Sequence, residues 1–522
     1  MQKDKLTAFY KKYNVLWKAA LMALLPLLCC VVTCAAQGRT IGEVYLPNGE
    51  WNDELFYFKQ VEGMVKYGYP YGYFGFNESH ALNLSFAAWS PVLVFPWILW
   101  GKLFGWTLMS PVYCNIFLMM LSMFLFVVLV KPTNRQLGIL TILFCVFRPF
   151  TRYMLSGMPE VICFSMLIIF YALAVSYLRQ EGSRIWKLVL MFVISALLTL
   201  MRPYFVLFLL LPAGLWIRRS KWGGIAGSLA VLAVTGGLYA AIKHYLGAEY
   251  FAPLFNTTWV EKFFQEGIFA GIKYTLGTLW NVGKIFNSMT VESFRSGLPA
   301  GARFAGFLTV MFVLIWQSIV DLRKKRWNRL ILNGHLAICF VGMLAALLLM
   351  YKMDEGSKHL LAFIAVGIFA VSLMETVFFK KAMFVGAVFV FVYTVKANSP
   401  YEYQIPFVTQ ERCAEVEEWG REFEEHLPLQ IRDVPSYDNV VIWTFTDETP
   451  EGTTMTAWQI LYALPEGFGI SCCKSDFLTE NFDKLQSRYL VTVLGGQLDV
   501  MCSEAGYVEL NRMGETVLYR RY

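Results

Sequence analysis

This chain is short of charge. Asp, Glu, Lys and Arg make up 16% of its 522 residues, against 57% hydrophobic ones, where soluble domains carry about 25% charged residues. That scarcity, with a positive mean hydropathy, excludes an ordinary soluble protein. Histidine is scarcer still, with five residues, and no HExxH or CxxC spacing suggests a metal site. There is no GxxxxGK[ST] loop, which argues against nucleotide-driven work, and no GxSxG elbow for a serine nucleophile. Full-length apolar runs contain few ionisable residues, so no proton or ion relay at mid-membrane is evident. The net charge of +7 does not point to nucleic acid, because the basic residues cluster in short loops between apolar runs, where orientation signals lie.

What the chain has is apolar runs near 20 residues, matched to a hydrocarbon layer of about 30 Å. Spans are predicted near 16–36, 110–130, 136–150, 159–178, 186–201, 203–217, 224–242, 303–320, 330–350, 360–378 and 382–397. The class is a polytopic α-helical membrane protein of eleven transmembrane helices. Residues 1–36 also have the outline of a signal peptide, but the length of the run and the spans after it favour an uncleaved first helix. The Lys-rich N-terminus, Lys131/Arg135, Arg179/Arg184/Lys187, Arg218/Arg219/Lys221, the run Arg323 to Arg329 and Lys380/Lys381 fall at every second turn. The positive-inside bias puts all of them in the cytoplasm. Pro91 to Trp106 is apolar, but a crossing there would put every later basic loop outside. Its prolines and Trp97, Trp100 and Trp106 suit an outer juxtamembrane helix in the interface. The N-terminus is then inside and the C-terminus outside.

On that outer face lie the loop 37–109, the turn Arg148 to Glu160, Arg202, the loop 244–302, the turn Tyr351 to His359, and everything after about residue 399. Residues 1–399 read as the membrane domain and 400–522 as a small extracytoplasmic α/β domain. In the latter, Glu411 to Glu425 reads as an acidic surface helix. Val440 to Trp443, Tyr489 to Leu494 and Thr516 to Tyr519 read as short strands. Seven cysteines lie in apolar runs as small buried hydrophobes. Cys413, Cys472, Cys473 and Cys502 lie in the polar part, where a disulfide stays open and unassigned.

The candidate chemistry gathers on the outer side. Asp53-Glu54 follows the first span; a carboxylate near an apolar interface has a raised pKa, which suits a general base. A solvated loop or a helix cap is the plain alternative. Glu160, in Ser156-Gly157-Met158-Pro159-Glu160, opens a helix where the dipole favours an anion; it also reads as a simple first-turn acid after a proline. Arg148, Arg152, Arg202, Lys352, Lys358 and His359 are positive groups set against the positive-inside bias. Together they suit a phosphate at the membrane surface, and each alone suits snorkelling. The loop Tyr67 to His80, with Tyr71, Tyr73, Glu78 and His80, offers aromatic faces for sugar stacking or simply an interfacial belt.

In this order the features resemble the membrane-embedded glycosyltransferases of the GT-C superfamily, such as protein O-mannosyltransferases and lipid A aminoarabinose transferases. The resemblance rests on Asp53-Glu54, the run Pro91 to Gly105, the turn Ser156 to Glu160, Leu200-Met201-Arg202-Pro203 and Ser357-Lys358-His359-Leu360, over roughly residues 10–400. It implies transfer of a sugar from a polyprenyl-phosphate donor to a protein, lipid or glycan acceptor outside the cytoplasm of a bacterial plasma membrane. Asp53 would be general base, Glu54 an acceptor-binding residue and Glu160 a second acid. Arg202, Lys358 and His359, with Arg148 and Arg152, would lie near the carrier phosphate. The tenth-span motif departs from the expected Arg followed by Tyr or His, since it is Lys358-His359 here. Metal dependence varies between branches of the superfamily, which leaves a divalent metal open. Two other classes compete: a glycolipid or polysaccharide transporter or flippase using the same cations without chemistry, and a non-catalytic assembly protein that binds a partner through residues 400–522.

Overall fold

The computed structural model describes residues 2–44, 52–68, 90–179, 185–246, 256–296, 299–350, 357–375, 436–445 and 468–522, with isolated positions at 386, 414, 417–422 and 425. Among the described residues, six helices are long and apolar enough to cross a membrane, over Tyr13–Ala35, Ser110–Val130, Glu160–Arg179, Lys221–Leu246, Arg303–Arg323 and Trp327–Leu349. The first belongs to α1 (Gln2–Ala35), the second is α4 (Ser110–Val130). Between them come α2 (Asn52–Lys66) and α3 (Phe95–Phe104). The 21 residues of α4 reach about 31 Å at the helical rise, and Lys131, in the left-handed conformation at φ 51°, ends it.

Helix α3 is too short to cross. A 3-10 turn Pro91–Val94, capped by Ser90, leads into it, so that Pro91 and Pro96 both sit at helix starts, where a missing N–H costs nothing. It lies against α2: Trp106 Nε1 donates to the Phe58 carbonyl at 3.1 Å, and Lys102 donates to that of Val65. Gly101 makes this close approach feasible, because a Cβ there would come within 2.6 Å of the Val65 side chain.

After α5 (Asn134–Val146), opened by a Thr133/Gln136 capping box, come the one-and-a-half-turn α6 (Pro149–Met154) and α7 (Glu160–Arg179). Nearly every residue of α7 is buried. Then follow α8 (Ile185–Met201), a 3-10 stretch Pro203–Leu209, α9 (Leu210–Arg219) and α10 (Lys221–Leu246). Pro203 lacks the N–H an α-helix needs, and the chain resets there. The predicted outer loop 244–302 is largely helix: α11 (Thr258–Gln265) and the 29-residue α12 (Ile268–Ser296), which packs on α13 (Pro299–Arg323) and α14 (Trp327–Leu349). The last bundle helix among the described residues is α15 (Leu360–Leu373), shorter than the predicted span 360–378 and buried along nearly its whole length. It packs against α7, α13 and α5. A helix enclosed by neighbours need not match the bilayer by itself. The predicted span 382–397 and the region around Glu411 to Glu425 fall mostly outside the described residues.

The C-terminal residues form a five-stranded sheet, β1 (Val440–Phe445), β2 (Gly469–Lys474), β3 (Tyr489–Val493), β4 (Val508–Met513) and β5 (Thr516–Arg520), in the order β2-β1-β3-β5-β4. β2, β1 and β3 are parallel; β4 and β5 form a hairpin that continues antiparallel. Helix α16 (Ser475–Glu480) crosses from β2 to β3 and α17 (Gln497–Glu504) from β3 to β4. Leu478, Phe482, Leu498 and Cys502 pack there on Ile442, Leu490 and Val517. Cys473 and Cys502 are both buried and form no disulfide with each other.

Candidate functional site

The turn between α6 and α7 is held by a residue that sequence reasoning did not single out. Asn115, fully buried on α4, gives its amide nitrogen to the carbonyls of Tyr153, Ser156 and Met158 at 3.4, 3.1 and 3.3 Å. Its oxygen accepts from Trp97 Nε1 at 3.0 Å. Asparagine has both a donor and an acceptor, so one side chain ties α3, α4 and the turn together. Ser156 Oγ adds a bond to the Tyr153 carbonyl and accepts from Met158 N. The signal was a lone amide inside the apolar run Ser110–Val130.

Onto this turn comes α2. Glu54, 1% exposed, accepts a hydrogen bond from Gly157 N at 2.9 Å. That bond fixes the start of α2, and with it Asp53, beside the start of α7. Asp53 forms an ion pair with Lys358, 305 positions away, both side chains being partly open to solvent.

The second acid lies deeper. Glu160 Oε1 accepts from Arg202 Nη2 at 2.6 Å, with both side chains 1% exposed. Arg202 Nη1 also donates to the Tyr204 hydroxyl at 3.1 Å and to Nδ1 of His359. A guanidinium can only donate, so Nδ1 of His359 is the acceptor and its proton sits on Nε2. Electrostatics agree: burial, then the charges of Arg202, Lys358 and Arg303, hold the His359 imidazole well below its ordinary value. It is neutral at pH 7.

Asp53, Lys358, His359, Arg202 and Glu160 thus form one continuous chain of contacts, with Glu54 anchored to the same turn. Arg303, buried near the start of α13, adds its charge to His359 and to Tyr153. It went unmarked in the sequence because it reads there as the edge of a span. Arg152 is buried in α6 next to Tyr153. Arg148, at the cap of α6 and half-buried, acts electrostatically on Cys29 of α1. Tyr71, Tyr73, Glu78, His80 and Lys352 lie outside the described residues. Among the described residues, no group of three His, Cys, Asp or Glu side chains converges as a metal site requires.

The arrangement offers a carboxylate on the solvent side, a cation beside it that solvent reaches, and a buried ion pair behind. No protein-family model and no curated protein sequence matches the chain. Among solved structures it is similar to ArnT from Cupriavidus metallidurans bound to undecaprenyl phosphate, with a TM-score of 0.51 and 9% identity over 96% of this chain and 97% of that one. The apo form of the same protein gives a TM-score of 0.50 and 10% identity over the same shares. At that identity the likeness carries the fold alone, an ArnT-like one over 96% of this chain.

Proposed function

We propose, from that fold and the cluster at its α2–α7 junction, that the chain transfers a sugar from a polyprenyl-phosphate donor to an acceptor on the outer face of the membrane. The contact between Asp53 and Lys358 carries the reading, because it sets a proton acceptor next to a phosphate-binding cation. Support for the lipid carrier comes from the undecaprenyl phosphate in the similar ArnT structure. The reading includes the topology derived from charge: eleven spans, N-terminus in the cytoplasm, residues 400–522 outside as a separate domain, in a plasma membrane.

In this mechanism the Asp53 carboxylate takes the proton of the acceptor hydroxyl. The acceptor oxygen attacks the anomeric carbon from the face opposite the phosphate, and the bond from that carbon to the phosphate oxygen breaks. The electron pair stays on the leaving phosphate, where Lys358 stabilises it. Charge that develops in the transition state is best met by groups already in position.

Magnitudes decide which cation does this. A partly exposed ion pair contributes about 0–1 kcal/mol, so Lys358 can exchange Asp53 for a phosphate at little cost. Breaking a buried pair costs about 3–5 kcal/mol, which keeps Arg202 on Glu160. Lys358 is therefore the phosphate ligand and Arg202 a positioning residue that orients His359. Binding of the donor draws Lys358 off Asp53 and leaves the base free, so the base becomes available when the sugar is present. Glu54 positions α2 through Gly157, and an acceptor contact by its second oxygen is part of the proposal. Arg148 and Arg152 are proposed as outlying charges for the carrier, and Tyr71, Tyr73, Glu78 and His80 as the sugar and acceptor contacts. A transporter would need Lys358 but not the carboxylate; Asp53→Asn should abolish transfer while carrier binding persists. Carrier movement that survives Asp53→Asn, with no transfer by the wild type, would favour transport.

A further inference from the structure

The end of the bundle away from this cluster holds a second polar site. Helix α7 runs 20 residues from Glu160 to Arg179, about 30 Å at the helical rise, so its two ends lie a bilayer core apart. Arg179 lines a cavity of about 280 Å³ with Arg329, Asn328 and Asn333, backed by Tyr171 and Leu332. This cavity plays no part in the sugar-transfer mechanism.

Its hydrogen-bond pattern can be read from the fixed partners. Asp321, fully buried, accepts from Gln317 Nε2 at 3.0 Å and from Asn333 Nδ2 at 2.8 Å. A carboxylate only accepts, so the nitrogen of Asn333 must face it and the carbonyl oxygen is left for the cavity. Asn328 gives its nitrogen to the Leu178 carbonyl at 2.9 Å, which leaves its oxygen in the same way. Arg179 donates to the Val130 carbonyl at 2.7 Å, and Arg329 to Glu375 at 2.6 Å. A guanidinium has five donors, so each keeps donors in hand, and Arg329 adds like charge at Arg179. Arg326 also pairs with Glu375 at 3.0 Å. Three arginines against Asp321 and Glu375 leave a positive surplus at the mouth of the cavity.

We propose that this cavity binds a phosphate headgroup of the adjoining leaflet, held by Arg179 and Arg329. The headgroup would also carry hydrogen-bond donors beyond the phosphate, which Asn328 and Asn333 accept. Guanidinium forks suit phosphate oxygens, and the amide oxygens need a donor that phosphate lacks. Ethanolamine and glycerol headgroups provide one; choline does not. The half-exposed setting of the arginines fits the headgroup layer.

Native mass spectrometry of the full-length protein, exchanged with an equal mixture of phosphatidylethanolamine, phosphatidylglycerol and phosphatidylcholine, tests this. The first two should be retained over phosphatidylcholine by about tenfold, the upper end of what one hydrogen bond contributes. Arg179→Gln should remove that retention, and Arg179→Lys should keep part of it. Because Arg179 also caps Val130, Arg329→Gln provides an independent variant with the same expected loss. Equal retention of phosphatidylcholine, or unchanged retention in both glutamine variants, would overturn the proposal. Release of the lipids by millimolar inorganic phosphate would overturn it too, and would assign the site to a soluble anion.

Discussion

Asp53 and Glu160 both carry a cation at hydrogen-bond distance, yet one pair meets water and the other does not. That difference predicts how their variants behave. Lys358→Ala should leave thermal unfolding in detergent within about 1 kcal/mol of wild type while transfer falls sharply. Arg202→Ala should cost about 3–5 kcal/mol, and the paired change Glu160→Gln with Arg202→Met should be less harmful than Arg202→Ala alone. If Arg202→Ala unfolds like wild type but binds donor poorly, Arg202 is the phosphate ligand after all. His359 adds a pH signature. The folded protein keeps its imidazole neutral, whereas the unfolded chain protonates it once pH drops below about 6.5. The unfolded state then binds the extra proton, so stability falls as pH is lowered through that value. His359→Gln should flatten the slope of unfolding temperature against pH between about 7.5 and 5.5; an unchanged slope would place its origin elsewhere. The acids and cations were legible one by one, because each sits at the edge of an apolar run. Their pairing was not, since Asp53 and Lys358 are 305 positions apart. Asn115 escaped notice because a single buried amide gives no periodic signal.

Among the elements, long apolar helices were read to within a few residues: α4 and the predicted run 110–130 coincide. The failures have common causes. β1, β3 and β5 were visible as strands and are the three inner strands of the sheet, whose residues are almost entirely buried. β2 and β4 were missed and are the two outermost of the described strands. An edge strand needs less apolar sequence and so gives a weaker pattern. The predicted outer loop 244–302 contains the long helix α12, whose apolar sequence is interrupted by Lys273 and Lys284. Helix α15 starts where the predicted span 360–378 does and ends at Leu373, its residues almost all buried. The orientation inferred from the basic loops predicts that cysteines introduced at Asn134 and Gly356 label from opposite sides of the membrane. Labelling from one side would contradict the number of crossings between them and sink the scheme.

As a whole, the molecule has a helical bundle and a sheet of α/β type; the order of short motifs suggested the first over roughly residues 10–400, and short apolar strand patterns the second. No single motif could have done so. Geometry adds the pairing of Asp53 with Lys358, which the linear chain does not display. Residues 400–522 are proposed as a domain in their own right. Expressed as a soluble fragment they should give a cooperative unfolding transition with mixed helix and strand signal, and a spectrum of unfolded chain would argue that the membrane part is needed. The central claim is that Asp53 serves as base in sugar transfer from a lipid phosphate. Purified wild type and Asp53→Asn, given a panel of radiolabelled polyprenyl-phosphate sugars and membrane acceptors, test it side by side. The account predicts transfer of one sugar by the wild type and a loss of about 10²–10⁴-fold in the variant, with donor still bound. Equal transfer by both proteins, or donor binding without transfer by either, would contradict it.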